Sequence, residues 1–210
     1  MRVEFLTISV LFVAMSLYGS ARAEGAQSWQ KVSSKKGVTS WKREEPGRVF
    51  PLVRGEVEIA ASLDVVRATI EDWKQHVKWM HRCAEVVQLQ RYSETESLLY
   101  NRTDSPWPVK DRDVVFRLKR QKLAGDDEVL ISFASEQSAL KPLRDGVVRM
   151  PRLNGSYHLT RVGPRVTKVL YEVDADVGGH LPDWFVKNLV EEMPYETLLR
   201  LRAHIIDRES

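Results

Sequence analysis

The chain has 210 residues, 43% hydrophobic and 29% charged, with a formal net charge of +3. That size fits one domain, that balance excludes a disordered chain, and so small a surplus of cations gives no electrostatic case for binding nucleic acid. The single cysteine, Cys83, excludes an internal disulfide.

Residues 1–23 read as a targeting signal and not as part of the fold. Arg2 gives a positive start, and Phe5 to Tyr18 is an apolar run too short for a comfortable bilayer span. Ala21-Arg22-Ala23 fits a small-x-small cleavage site, so residues 24–210 are expected to be the mature domain, in a bacterial periplasm, with an uncleaved anchor as the alternative.

The mature part opens with a short helix predicted over 26–33, carrying Trp29. Strands follow over 37–43 and 49–60, the second with Val53, Val57 and Ile59 on one parity and Arg54, Glu56 and Glu58 on the other. Ser62 is placed to cap a helix bearing Val65, Val66, Thr69, Ile70 and Trp73 at helical spacing. Residues 76–84 read as its frayed end and a loop. Strands are then predicted over 86–92 and 98–103. The two prolines of Ser105 to Lys110 break regular structure. Residues 113–123 alternate cleanly, with Val114, Phe116 and Leu118 on one side. A hairpin turn at Gly125-Asp126-Asp127 returns to Val129, Ile131 and Phe133. Strands over 147–150, 156–162 and 166–173 are separated by turns at Asn154-Gly155 and Gly163-Pro164.

Gly178-Gly179 break the last strand, and Pro182 and Asp183 suit the first turn of a helix. Phe185, Val186, Leu189, Val190 and Met193 then share one arc. Pro194 is expected to kink the helix, after which Leu198, Leu201 and Ile205 form a new stripe. An antiparallel sheet with one dry face and a long helix with one dry stripe are most economically combined as a curved sheet wrapped around that helix, an α+β architecture.

Motifs for chemistry are scarce. His76 and His81 are five apart, which does not align two ligands on a helix, and neither H-E-x-x-H nor a Cys-His cluster occurs, so no metal or other cofactor is expected. A nucleophile elbow and glycine-rich phosphate loops are absent too. Arg117, Lys119 and Arg120 read as a solvated strand face. Trp107, between two prolines, reads as a loop anchor, with a pocket lid or a membrane-entering residue as alternatives.

Two blocks carry a family resemblance. One is SPWPVKDRDVVFR, from Ser105 to Arg117. The other is DVGGHLPDWFVKNLVEEMPYETLLRLR, from Asp176 to Arg202, and the strand Gly146-Val147-Val148-Arg149 adds to them. In order and spacing the mature chain resembles the START domains, the lipid-transfer family related to the steroidogenic acute regulatory protein. The resemblance implies a helix-grip fold with a tunnel for one lipid between sheet and C-terminal helix, no catalytic residues, and a gate at 176–182. It also implies transient membrane contact. Sterol-binding members carry a buried acidic–basic pair, and an ungapped count places those positions on Leu99 and Leu118, which would make this tunnel drier. Strand parity and the helix arc select Leu99, Val114, Phe116, Leu118, Ile131, Phe133, Phe185, Leu189 and Met193 as tunnel lining. Arg149 is the charged candidate for a polar head, with a structural salt bridge at the sheet end as the alternative, and Arg112-Asp113 read as structural, an ion pair or turn-capping set that fixes the strand entry. The cargo expected is a phospholipid, quinone, hopanoid or sterol, or a fatty acyl compound. Two alternatives are an enzyme using His158 or Tyr157 with Glu172, and a ligand sensor that engages an envelope protein.

Overall fold

Strand-period alternation commits most of the chain to one sheet. The computed structural model describes residues 28–123 and 125–209, so the signal assigned to 1–23 lies outside the described residues. Among the described residues there are ten strands: β1 (Gln30–Lys35), β2 (Val38–Arg43), β3 (Leu52–Ile59), β4 (Cys83–Arg91), β5 (Glu96–Thr103), β6 (Asp111–Lys122), β7 (Glu128–Ser135), β8 (Val147–Arg149), β9 (Arg152–Gly163) and β10 (Val166–Asp176). The helices are α1 (Leu63–Glu71), α2 (His76–Trp79), which follows a 3₁₀ turn at Trp73–Gln75, and α3 (Asp183–Glu209). The sheet order is β1-β2-β3-β10-β9-β7-β6-β5-β4, antiparallel throughout, with β8 added parallel to the start of β6.

Period-two alternation sorts the side chains onto two faces. Leu99, Val114, Phe116, Ile131 and Phe133 join Val66 and Ile70 of α1 and Leu198, Leu201 and Ile205 of α3 in one core. Leu98, Tyr100 and Val115, one residue out of phase, form a small separate cluster. The curved sheet therefore turns one apolar face toward α3, and each fully buried Leu or Ile there contributes about 1.5–3 kcal/mol. α1 starts where Ser62 Oγ accepts from the Val65 N–H, and Arg67 ties its face to Glu71 at 2.7 Å.

α3 runs unbroken through Pro194, and its seat depends on Gly55 of β3. A Cβ at Gly55 would lie 2.8 Å from Leu198 Cδ1 and 3.2 Å from the Pro194 carbonyl, so only glycine lets the helix backbone come this close. The chain reaches α3 through Gly178 and Gly179, at φ +67° and +74°, a region other residues rarely adopt.

Two expectations are corrected. Residues 30–35 form β1 and not a helix: the segment pairs with β2, and Trp29 just before it lies under the Arg54 guanidinium at 4.3 Å. Asn154-Gly155 is no turn but lies inside β9, paired with β7 and β10. Gly155 sits opposite Phe133, and a Cβ on it would collide with the Glu172 carbonyl of β10 and with the edge of the Phe133 ring, so the glycine makes room for a neighbouring strand and an aromatic side chain.

Candidate functional site

α3 and the concave face leave a cavity of about 110 Å³ beside the first half of the helix. Phe185, Leu189, Met193 and Thr197, successive at four-residue steps, line it from α3. Val114 on β6 and Tyr171, Val173 and Ala175 on β10 face them. The wall is mainly apolar. Its polar groups are Arg112, Asn101, Thr103, Ser105 and His81, with Thr197 and the Tyr171 hydroxyl.

Each polar group has a defined setting. Asn101 Nδ2 donates to Cys83 Sγ at 3.0 Å, and burial pushes the Cys83 thiol up to about 11, which keeps it protonated at neutral pH. Tyr171 donates to Met193 Sδ at 3.6 Å and stacks on Tyr157 at 4.4 Å, and burial lifts its phenol to about 12. The His81 backbone N–H donates to Thr197 Oγ1 at 3.4 Å, and its ring lies 3.4 Å from Glu192, pinning the segment before β4 to α3. Burial pulls the His81 pKa down.

Arg112 is buried, 5% exposed. Nε and Nη2 donate to the carbonyls of Val177 and Gly178 at 3.4 and 3.3 Å, Nη1 donates to that of Lys110, and the guanidinium lies 5.5 Å from the Phe185 ring centre. It is thus tied to the connection between β10 and α3.

The residues selected from the sequence divide into two groups. Val114, Phe185, Leu189 and Met193 line the cavity. Leu99, Phe116, Ile131 and Phe133 lie in the core beyond it, with Leu118 packed against them, and Phe116 and Phe133 meet edge to face at 6.2 Å. Arg149 lies outside this cavity. Its Nε and Nη2 bind the Asp113 carboxylate at 2.6 and 3.2 Å, and Nη2 also donates to the Lys141 carbonyl. Arg149 thus forms the salt bridge at the end of the sheet, to Asp113, and Arg112 does not pair with Asp113 but holds backbone carbonyls of the connecting segments. The acid–base set weighed for an enzyme does not assemble: Tyr157 is buried in the core, while His158 pairs with Glu128 at 3.1 Å and Glu172 lies 4.0 Å from Arg54. Arg117 is held by Glu96 and Glu136, both at 2.6 Å. Trp107 is 91% exposed and anchors nothing.

Arg112, Asn101, Thr103 and Thr197 went unselected, yet parity marks the first three. Arg112 shares the phase of Val114 and Phe116 on β6, and Asn101 and Thr103 share that of Leu99 on β5.

With this architecture in place, comparison with known proteins fixes the family. Residues 14–205 match the START domain model. An uncharacterised protein of Pseudomonas aeruginosa is 31% identical over 191 residues, covering 91% of this chain and 93% of that protein. A crystal structure of a STAR-related lipid transfer protein fragment from Xanthomonas axonopodis superposes with a TM-score of 0.77 at 30% identity, covering 86% of this chain and 99% of that one. Human STARD10 shares the fold, with a TM-score of 0.76 at 21% identity over 86% of this chain and 74% of its own. The chain belongs to the START domain family, and the curved ten-stranded sheet holding a C-terminal helix is that family's helix-grip fold.

Proposed function

We propose that this protein binds one lipid in the space between α3 and the sheet and carries it without chemical change. The observation that carries the reading is the position of the cavity: it opens between the helix and the sheet, walled by Phe185, Leu189, Met193, Val114 and Tyr171. An acyl chain moved from water into such a wall gains about 0.8 kcal/mol per CH₂, enough to offset much of its loss from a bilayer. The relation to the Xanthomonas lipid transfer protein supports the same reading. At about 110 Å³ the cavity is below the ~300–1,000 Å³ of ordinary ligand pockets, so loading requires it to enlarge. The β10–α3 connection, with its two glycines at positive φ, is the part of the wall best suited to move.

Membrane contact belongs to the same proposal. β8 pairs with the start of β6, and the end of β10 pairs with the start of β9, so the segments preceding β6, β8 and α3 gather at one end of the sheet. The first two carry the exposed Trp107 and Leu143, and the first turn of α3 carries the exposed Trp184, side chains suited to a bilayer interface. The cargo is drawn from phospholipids, quinones, hopanoids or sterols, and fatty acyl compounds. The site of action is the periplasm, on the strength of the signal pattern in residues 1–23; a reporter fused after residue 23 that stays in the cytoplasm would count against export. Carriage itself is tested by transfer of a fluorescent phospholipid or fatty acid between donor and acceptor vesicles. The expected result is transfer that rises in proportion to protein, with the lipid recovered unaltered. A chemically changed lipid would indicate an enzyme instead.

A further inference from the structure

We propose that Arg112 binds the oxyanion head, carboxylate or phosphate, of the lipid in this cavity, which makes the cargo an anionic amphiphile. This rests on the carriage reading above and narrows it. The argument starts from the charges around Arg112. Its two sequence neighbours are acids, and neither neutralises it. Asp111 holds Arg102 at 2.5 Å, and Asp113 holds Arg149 at 2.6 Å. Strand alternation turns both carboxylates away from the side on which Arg112 lies. Among the described residues no carboxylate reaches ion-pair distance of Arg112, and its partners are three backbone carbonyls. A buried cation with only neutral partners is costly, and an anion that arrives with the ligand removes that cost.

The geometry suits an oxyanion. A guanidinium has five N–H bonds in a planar fork, and three are used here, so two remain. Phe185 lies against the guanidinium at 5.5 Å, a contact that leaves the N–H edge for hydrogen bonding. Thr103 is paired with Arg112 across β5 and β6 and lines the cavity with Asn101 and Ser105. The Thr103 hydroxyl donates to Asn101 Oδ1 at 3.0 Å and Asn101 Nδ2 spends one N–H on Cys83, so the second Asn101 N–H and the Ser105 hydroxyl are at hand for the remaining oxygens. The apolar walls on β10 and α3 take the chain. The carbonyls that Arg112 now holds, those of Val177 and Gly178, belong to the connection that enters α3. An anionic head competes for the same N–H groups, so its arrival loosens the segment that must move for the chain to enter.

The test uses the full mature chain, stripped of lipid, with Nile red as an uncharged fluorescent probe. Dodecanoate, dodecyl phosphate, dodecanol and inorganic phosphate compete for the site at pH 8. The expected result is that dodecanoate or dodecyl phosphate displaces the probe at about tenfold to hundredfold lower concentration than dodecanol, the range a charge-assisted hydrogen bond gives. Inorganic phosphate alone should displace nothing. Arg112→Met should abolish the preference, so that dodecanol and the two anions displace the probe at similar concentrations, and Arg112→Lys, which keeps the charge but not the fork, should retain part of it. Equal displacement by dodecanol and both anions in the unsubstituted protein overturns the role of Arg112 and leaves carriage standing, and this needs no variant to fold. Failure of Nile red and all three amphiphiles to bind overturns carriage and this proposal with it.

Discussion

Asp113 holds Arg149 in a two-pronged ion pair, at 2.6 and 3.2 Å, and leaves its chain neighbour Arg112 to the other face of β6. One residue of strand phase thus separates two arginines into different jobs. Arg149 ties β8 and the segment before it to β6, through Asp113 and the Lys141 carbonyl. Arg112 lines the cavity.

The first prediction follows from that division. Arg149→Met leaves the Asp113 carboxylate buried and unpaired, so unfolding free energy should fall by about 3–5 kcal/mol. Urea titration measures this. A loss below about 1 kcal/mol would mean that solvent already screens the pair.

Gly155→Ala should destabilise the protein by about 1–3 kcal/mol, because its Cβ would meet the Glu172 backbone carbonyl of β10 as well as the Phe133 ring. In a Phe133→Leu background part of the cost should remain, since a backbone carbonyl cannot swing aside as a side chain can. A loss below about 0.5 kcal/mol on Gly155→Ala, measured by urea unfolding, would contradict these contacts.

His76 predicts an acid-sensitive fold. Its Nε2 donates to the Ile70 carbonyl at 2.7 Å, and burial lowers its pKa from the ordinary 6.5 to about 4. The unfolded chain therefore takes up a proton below about pH 6.5, while the folded chain resists until about pH 4. Its contribution is fully present above pH 6.5 and is lost as pH falls through that window, by about 3 kcal/mol in all. His81 and His204, also pulled down by burial, act in the same direction. Urea midpoints measured from pH 7 to pH 4 should fall, and His76→Gln should remove much of the slope. An unchanged slope in that variant would assign the acid sensitivity elsewhere.

Trp107→Ser should leave stability within about 0.5 kcal/mol, because the ring is almost wholly in water. Vesicle co-sedimentation and lipid transfer should both weaken. A variant that transfers lipid at the original rate would remove Trp107 from the membrane-contact surface.

Much of this fold can be read from alternation. The β6 phase that places Val114 and Phe116 in the core was visible because apolar and charged residues trade places along the strand. Ser62 was equally visible as a cap. Reading failed where one local signal had two meanings. Asn154-Gly155 is a turn signal in isolation, and only the Glu172 carbonyl and the Phe133 ring, both on neighbouring strands, explain the glycine. Residues 30–35 carry little apolar pattern because they form an edge strand, so their backbone pairing with β2 was hidden. The site was legible in part. Phe185, Leu189 and Met193 follow from the α3 arc, but how the space divides between cavity and packed core depends on ring packing across several strands. Arg112 shares the phase of Val114, but an adjacent Arg-Asp suggests a purely structural ion pair or turn-capping set, and strand geometry, which sends the two side chains to opposite faces, forbids the pair.

The central claim is one lipid per chain. Native mass spectrometry of the mature protein, purified gently from a bacterial periplasm and then extracted for lipid identification, tests it most directly. The account predicts one added mass per chain that leaves on denaturation and extracts as an intact amphiphile with an anionic head. A protein that is empty on isolation and stays empty after incubation with vesicles containing phospholipids, fatty acids, quinones and sterols would contradict it.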